Sequence, residues 1–153
     1  AICAAERLSA LNSEITIRTY PTRLTEENAQ EIISQYDIVV DGCDNFSTRY
    51  LINDICAEMG KVYVYGAICG FEGQVSVFHY GEEKKSYRDL YPDEEEMRRM
   101  PPPPKGVMGI TPAVTGSIEA TEVLKIICGF GEVLSGKLWT IDLRTLQSNK
   151  FSL

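Results

Sequence analysis

The chain has 153 residues, a formal net charge of −7 and a hydrophobic fraction of 44%. This length is enough for one domain with a buried core, and we treat residues 1–153 as a single domain. The acidic balance argues against a nucleic-acid surface, because phosphate backbones are bound by clustered lysine and arginine. No apolar run reaches the roughly 20 residues of a membrane-spanning helix. Five cysteines without paired spacing predict reduced thiols in a cytosolic (cytoplasmic) protein.

The first part of the chain predicts alternating helices and strands. Residues 1–11 have helical apolar spacing, and residues 14–20 alternate apolar and polar side chains as a strand does. Thr25 is predicted to cap a helix that ends near residue 36. The helical pattern is already under way at Ala1, with no cap before it. We therefore expect a truncated sequence that lacks an upstream βαβ unit.

The central stretch predicts a short buried strand at residues 37–40, followed by a polar turn and a helix. The turn carries Asp41 and Asp44, Ser47 is the predicted helix N-cap, and Gly60 is the predicted C-cap. Ligands of open α/β sheets bind outside the carboxyl ends of strands. Two carboxylates there can hold a divalent cation, which would bring nucleotide phosphates to the site.

Three polar residues, Asn45, Arg49 and Asn53, follow the turn at intervals of four. At about 100° per residue they line up along the edge of the helix's apolar face, where a cleft is expected. The alternative is that Asp41 and Asp44 only shape a turn, and that the arginine and the second asparagine lie on the helix surface. The residues alone leave both interpretations open.

The second half of the chain changes pattern. A strand is predicted at residues 61–68, a glycine turn at 70–73 and a strand at 74–79, with no helix between them, which indicates an antiparallel pair. Residues 80–106 contain many charges and then four consecutive prolines. Such a long irregular segment is typically functional or disordered, and a solvated insertion is the alternative. The only histidine, His79, is predicted to lie on the surface.

The last part predicts a long helix and two strands. Thr111 and Pro112 suggest an N-cap and a first-turn proline for a helix that ends near Cys128. Its predicted core positions are Ala113, Ile118, Val123, Leu124 and Ile127. Residues 137–143 and 147–153 predict a final hairpin. The resulting fold class is α/β: a Rossmann-like sheet that is parallel in its first half and mixed or antiparallel in its second, with helices on both faces.

Several motifs resemble those of one known family. The pattern Asp44-Asn45-x-x-x-Arg49-x-x-x-Asn53 after a Val-Val-Asp strand resembles the signature of the ThiF/MoeB/HesA family, the bacterial relatives of ubiquitin-activating enzymes. Four more stretches match in the family's order, namely residues 7–12 (RLxxLN), 66–78 (GAxxGFEGQVSVF), 106–112 (GVMGITP) and 116–125 (GSIEAxEVLK). Together they cover nearly the whole chain.

The resemblance implies ATP-dependent adenylation of the C-terminal glycine of a ubiquitin-like sulfur carrier protein, in thiamine (thiazole) or molybdopterin biosynthesis. It implies that Asp44 is the catalytic residue that positions magnesium and nucleotide. Asn45, Arg49 and Asn53 are implied to support the aspartate turn and to belong to the cofactor-binding set. Residues 80–106 match the family's crossover loop, which passes over the channel for the carrier's tail. A homodimer is also implied.

The sequence departs from the family pattern in the nucleotide half of the site. The glycine-rich loop, the ribose-binding acid and the phosphate contacts have no match here, and the family's phosphate-binding lysine would fall immediately before Ala1. We therefore expect the isolated chain to be inactive. A non-catalytic carrier-binding or dimerisation module of the same fold is the alternative. The sheet pattern alone also allows a nucleotide-dependent oxidoreductase.

Zinc and thiol chemistry are not expected. Many relatives have a Cys-x-x-Cys pair where this chain has Ser86 and Asp89, and no second pair follows. Some members carry a loop cysteine shortly before the Gly-Val-x-Gly motif, where this chain has prolines and Lys105. Cys43 adjoins the predicted catalytic aspartate, but we expect low reactivity of its thiol.

Overall fold

A computed structural model describes residues 1–101 and 106–153 of the chain. Residues 102–105, which the crossover-loop prediction includes, lie outside the described residues. The described helices are α1 (Ile2–Leu11), α2 (Glu26–Ile33), α3 (Phe46–Met59), α4 (Tyr87–Leu90), α5 (Glu94–Arg99) and α6 (Ile110–Cys128). The described strands are β1 (Ile38–Val40), β2 (Val62–Cys69), β3 (Glu72–Phe78), β4 (Lys137–Asp142) and β5 (Gln147–Ser152).

The five strands form one sheet in sequence order. β1 pairs with β2 in parallel, and each of the three following pairs is antiparallel. The predicted change from parallel to antiparallel pairing is confirmed, and so is the final hairpin. In the part of the chain that the structure describes, none of the helices has the length and apolar character that crossing a membrane requires.

The sheet carries a separate apolar core on each face, because successive strand residues point to opposite sides. Tyr63 and Tyr65 of β2 pack into the core covered by α2, α3 and α4. Val64, which lies between them, packs into a second core with side chains of α6. The predicted helices on both faces are therefore present.

The strand predicted at residues 14–20 is wrong. This segment is irregular, and Ile15 is exposed. The side chains of Arg18 and Tyr20 both donate hydrogen bonds to Gln35, at 2.7 and 3.0 Å. Alternating side chains favour a strand, but a strand also needs a hydrogen-bonding neighbour. None of the five described strands pairs with this segment.

Two of the three helix caps predicted for α2 and α3 are confirmed. Thr25 caps α2, and its backbone N–H donates to Asn28 Oδ1 at 2.8 Å. Gly60 ends α3 with a left-handed backbone at φ 63°. The predicted N-cap at Ser47 is wrong: Asn45 is the cap, and its Oδ1 accepts from Thr48 N at 2.8 Å. The cap is the last residue with extended backbone, which here is two residues earlier.

α2 ends at Ile33, three residues before the predicted end. α6 begins at Ile110 after Gly109, so the predicted cap at Thr111 and the first-position proline at Pro112 are each displaced into the helix. A proline is tolerated throughout the first turn of a helix, because those N–H groups have no intrahelical acceptor. Proline therefore marks the first turn but not the first residue.

The buried face of α6 is polar, contrary to the prediction. Ile118 and Val123 pack partly against the core, but Leu124 and Ile127 are 53% and 66% exposed, and Ala113 is exposed as well. The residues that face the sheet are Thr111, Thr115, Glu119 and Glu122.

Two glycines in the sheet explain this inversion. A Cβ atom at Gly66 would lie 2.3 Å from the carboxyl carbon of Glu119, and one at Gly73 would lie 2.3 Å from Thr115 Oγ1. The helix therefore approaches the sheet closely at these glycines, and the side chains of Glu119 and Thr115 occupy the space that a Cβ atom would take. The apolar spacing of the helix does not reveal which strand residues lie beneath it.

The segment after β3 contains two short helices, α4 and α5, where the sequence predicts only irregular chain. His79, predicted to be a surface residue, is half-buried, and it has a left-handed backbone at φ 60°. Its ring nitrogen Nε2 lies 3.0 Å from Asn53 Oδ1. Burial of this ring follows from a contact with α3 that is remote in sequence.

Candidate functional site

The turn after β1 is organised around the buried carboxylate of Asp41. The backbone N–H of Asp41 donates to Val64 O at 2.9 Å, which continues the parallel pairing beyond β1. Its Oδ1 accepts from Cys43 N at 2.7 Å, and its Oδ2 accepts from Arg49 Nε and Tyr63 OH, each at 2.9 Å. The arginine also donates to Cys43 O at 2.6 Å. These bonds close a network that fixes the path of the turn.

The electrostatics of this network favour an ion pair between Asp41 and Arg49. Burial by itself would lower the pKa of the guanidinium, but the carboxylate charge and its hydrogen bond outweigh burial and raise that pKa. Burial, and then the same carboxylate, raises the pKa of Tyr63 well above its usual value. The tyrosine is therefore a neutral donor and the arginine a permanent cation at physiological pH. Removing one partner of such a pair leaves an uncompensated buried charge.

Asp44 lies on the exposed side of the same turn. Its Oδ1 accepts a hydrogen bond from Asn45 Nδ2 at 3.1 Å, while Asn45 Oδ1 caps α3. The two aspartates predicted at the carboxyl end of β1 are therefore in different environments. Asp41 is enclosed and accepts three hydrogen bonds, whereas Asp44 presents its carboxylate to solvent.

Asn53 is nearly fully buried, with 1% of its surface exposed. Its Oδ1 accepts from Tyr87 N at 2.9 Å and from Ser86 Oγ at 3.2 Å, and it lies 3.0 Å from His79 Nε2. Its Nδ2 donates to Asp54 Oδ1 at 3.0 Å. The asparagine thus contacts the segment after β3. The nucleotide contacts of this residue and of Arg49 stay predictions.

The cysteine next to the predicted catalytic aspartate is protonated at neutral pH. Burial, and then the carboxylate of Asp41, raises the pKa of Cys43 to about 12. A thiol in that state is a poor nucleophile, because the thiolate is the reactive form. This agrees with the low reactivity expected from the sequence.

Ser86 and Asp89, where the family resemblance would place a cysteine pair, cap a helix. Ser86 N donates to Asp89 Oδ2 at 2.7 Å, and the serine hydroxyl accepts from Arg88 N at 3.2 Å, at the start of α4. Among residues 1–101 and 106–153, no group of three or more histidine, cysteine, aspartate or glutamate side chains is arranged to hold a metal ion. The expectation of no zinc stays a prediction.

Glu119 is a notable residue that the sequence did not single out. It is 7% exposed, and among the described residues its Oε1 has no hydrogen-bond partner. Burial, and then the charge of Asp41, raises the pKa of Glu119 to about 7. The glutamate and the aspartate both line a groove of about 590 Å³ between the edge strand β1 and α6. The sequence did contain one signal for this residue, namely an acid within a helix, α6, whose buried face was predicted to be apolar.

Tyr63 was also missed, because a tyrosine in an apolar strand is typical of core packing. Its ring does pack in the core. Its hydroxyl, however, reaches Asp41 across 22 positions of sequence. A contact of that kind has no local sequence signal.

Comparison with known proteins adds relatives to this geometry. The family model described as ThiF family matches residues 1–153. A protein of Thermus thermophilus named sulfur carrier protein adenylyltransferase is 47% identical in an alignment that is 154 residues long with its gaps. The alignment covers 93% of this chain and 54% of that protein. A protein of Pyropia yezoensis named probable molybdopterin-synthase adenylyltransferase is 44% identical over 152 residues, which cover 98% of this chain and 40% of that protein.

A solved structure shares the fold. The crystal structure of Escherichia coli MccB with ATP superimposes with a TM-score of 0.77 at 18% sequence identity, over 97% of this chain and 46% of that one. The chain thus spans about half the length, or less, of the relatives that it matches. With the family match extending from the first residue to the last, the chain belongs to the ThiF family.

Proposed function

We propose that this chain is part of an ATP-dependent adenylyltransferase that activates the C-terminal glycine of a ubiquitin-like sulfur carrier protein. Two close relatives are named as a sulfur carrier protein adenylyltransferase and a probable molybdopterin-synthase adenylyltransferase. These names favour molybdopterin synthesis, and thiamine synthesis is the alternative pathway. The chain covers 40% and 54% of those proteins, so the activity is proposed for a longer protein that contains this chain. A cytoplasmic location is part of the same proposal.

The observation that carries this proposal is the exposed carboxylate of Asp44 at the carboxyl end of a parallel strand. Magnesium is commonly held by one or two carboxylates together with the phosphates of its substrate. A single exposed aspartate therefore fits a magnesium–nucleotide complex better than a metal site built from protein ligands alone. Magnesium would neutralise charge on the phosphates during the transfer.

The neighbouring residues have supporting roles in this proposal. Arg49 and Asp41 fix the turn, and Asn45 orients the Asp44 carboxylate. Attack by the carrier's own carboxylate on the α-phosphate of ATP requires no protein nucleophile. The raised pKa of Cys43 is consistent with a mechanism that uses no enzyme thiol.

The residues of this chain supply the metal side of the proposed site and lack a glycine-rich nucleotide loop. We therefore propose that the isolated 153-residue chain does not catalyse adenylation. ATP–pyrophosphate exchange by the purified chain would contradict this statement.

We also propose that the protein is a homodimer. α1 contains no buried residue, and Ile2, Leu8 and Leu11 are exposed. A helix of ten residues is marginal in water without packing partners. The same exposed surface supports the second candidate function, a carrier-binding or dimerisation module without catalysis.

The decisive experiment measures ATP–pyrophosphate exchange by a longer protein that contains this chain, in the presence of candidate carriers ending in Gly-Gly. Asp44→Asn should reduce exchange by about 100-fold or more, because it removes charge from the metal site. Glu58→Gln, at an exposed position of α3, the helix that follows the Asp44 turn, is the matched control and should leave exchange unchanged. Exchange that survives Asp44→Asn would contradict the role of this residue, and a protein without exchange would favour the non-catalytic module.

A further inference from the structure

The amide oxygen of Asn53 contacts polar groups from two places in the chain. His79 follows β3, whereas Ser86 and Tyr87 begin α4. An amide oxygen has two lone pairs, so the donors Ser86 Oγ and Tyr87 N use its accepting capacity, and the His79 ring nitrogen lies at hydrogen-bond distance beside them. The oxygen is buried, which makes each of these bonds costly to lose.

These contacts lie at the neck of a loop, residues 79–86. His79 N donates to Lys85 O at 2.9 Å, which closes the neck through the backbone. Within the loop, His79 and Lys84 have left-handed backbones at φ 60° and 45°. Non-glycine residues adopt this conformation at a cost, and they keep it where the surroundings hold them in place. The side chain of Asn53, on α3, contacts both sides of this neck.

The loop leads into helices that are fastened to α3. The Tyr87 ring lies 5.0 Å from the ring of Tyr50, whose hydroxyl donates to Tyr91 O at 2.7 Å. Arg88 donates two hydrogen bonds to the Asp54 carboxylate, at 2.8 and 2.6 Å. The exposed ion pair contributes little by itself. The buried asparagine is therefore the best candidate for fixing where this segment begins.

We propose that Asn53 is a positioning residue: it fixes the neck of loop 79–86 and so sets the path of α4 and α5 along α3, the helix that begins at the Asp44 turn. This role concerns the segment on the way to residues 102–105. It differs from the nucleotide contact predicted from the sequence. Its consequence for catalysis rests on the proposed function, whereas the structural role does not.

The test is amide hydrogen exchange on the whole chain, read by residue or short peptide. Asn53→Leu has similar size but no acceptor, and it should speed exchange of amides in residues 79–91 by roughly 10- to 100-fold. Amides of the β2–β3 pair should change far less. Asn53→Asp keeps the acceptor oxygens but loses the donor to Asp54 Oδ1, so it should recover only part of the protection. Glu58→Gln is the matched control on α3 and should behave as the unmodified protein.

A second variant keeps the test decisive if Asn53→Leu does not fold. His79→Asn keeps a residue that tolerates left-handed backbone, but its side chain is too short to reach Asn53. It should produce a smaller increase that is confined to residues 79–91. Equal acceleration of residues 79–91 and the β2–β3 pair, or no acceleration at all, would overturn the inference.

The exchange measurement needs neither ATP nor a carrier protein. Its result is therefore independent of whether the longer protein adenylates. Failure of ATP–pyrophosphate exchange would remove the proposed function and leave the role of Asn53 in place. In an active longer protein, Asn53→Asp should preserve more activity than Asn53→Leu if the segment also positions the carrier.

Discussion

Two buried acids lie near the edge strand β1 and have opposite surroundings. Asp41 accepts three hydrogen bonds, one of them from the Arg49 cation. Glu119 lies against Gly66, and among the described residues one of its oxygens has no partner. Burial is shared, so hydrogen bonding and the nearby cation account for the difference. The first acid anchors the turn in an ion pair with Arg49, whereas burial raises the pKa of the second to about 7.

The largest effect is expected from removing the cation that pairs with Asp41. Arg49→Leu should lower the free energy of unfolding by about 3–5 kcal/mol, because it leaves the Asp41 carboxylate buried without its cation. Urea denaturation at pH 7 measures this change. Arg99→Leu, in an exposed ion pair with Glu95, is the control and should have a far smaller effect. A loss below about 1 kcal/mol for Arg49→Leu would show that Asp41 is solvated.

The next largest effect concerns Glu119 and depends on pH. The folded pKa of Glu119 is raised to about 7 from the ordinary 4.5. The unfolded chain therefore releases this proton at lower pH than the folded chain does. The contribution of Glu119 to the free energy of unfolding should fall as the pH rises from 4.5, its ordinary pKa, to about 7, its raised pKa, and then level off.

Glu119→Gln removes this titration. Relative to the unmodified protein, the variant should gain about 3 kcal/mol in unfolding free energy from acidic pH to pH 8, because the pKa rises from 4.5 to about 7 and each pKa unit is worth about 1.36 kcal/mol. Urea denaturation of both proteins across this pH range makes the comparison. Parallel stability curves would show that Glu119 titrates normally in the folded state.

The smallest effect is expected from removing one of the hydrogen-bond donors to Asp41. Tyr63→Phe should cost about 1 kcal/mol, because Asp41 keeps its bonds to Cys43 and Arg49. Thermal or urea unfolding measures it, with Tyr36→Phe as an exposed control. A loss as large as that of Arg49→Leu would mean that the hydroxyl, and not the ion pair, holds the turn.

Local sequence patterns predicted much of the fold. The β2–β3 hairpin follows from two strands joined by a glycine turn, and the end of α3 follows from Gly60. Residues 14–20 and the polar face of α6 were not predictable in the same way. A strand requires a neighbour, and the buried face of α6 depends on Gly66 and Gly73, which belong to other elements.

The functional roles of the candidate site residues stay predictions, and their contacts could not be predicted from the sequence. Helical spacing placed Arg49 and Asn53 beside the apolar face of α3, and both are buried. Spacing defines a helix face, however, and cannot identify what lies opposite. Asn45 caps its own helix, Arg49 binds Asp41, and Asn53 binds a segment 26 to 34 positions further along the chain.

The order of strands in the sheet has a consequence for how the chain folds. β2 with β3 and β4 with β5 are each joined by a few residues, so both hairpins can form within microseconds. Bringing β3 beside β4 instead requires the chain between Phe78 and Lys137 to close into a loop, which carries a larger entropy cost. We expect this closure, and not either hairpin, to limit the rate at which the native topology is reached.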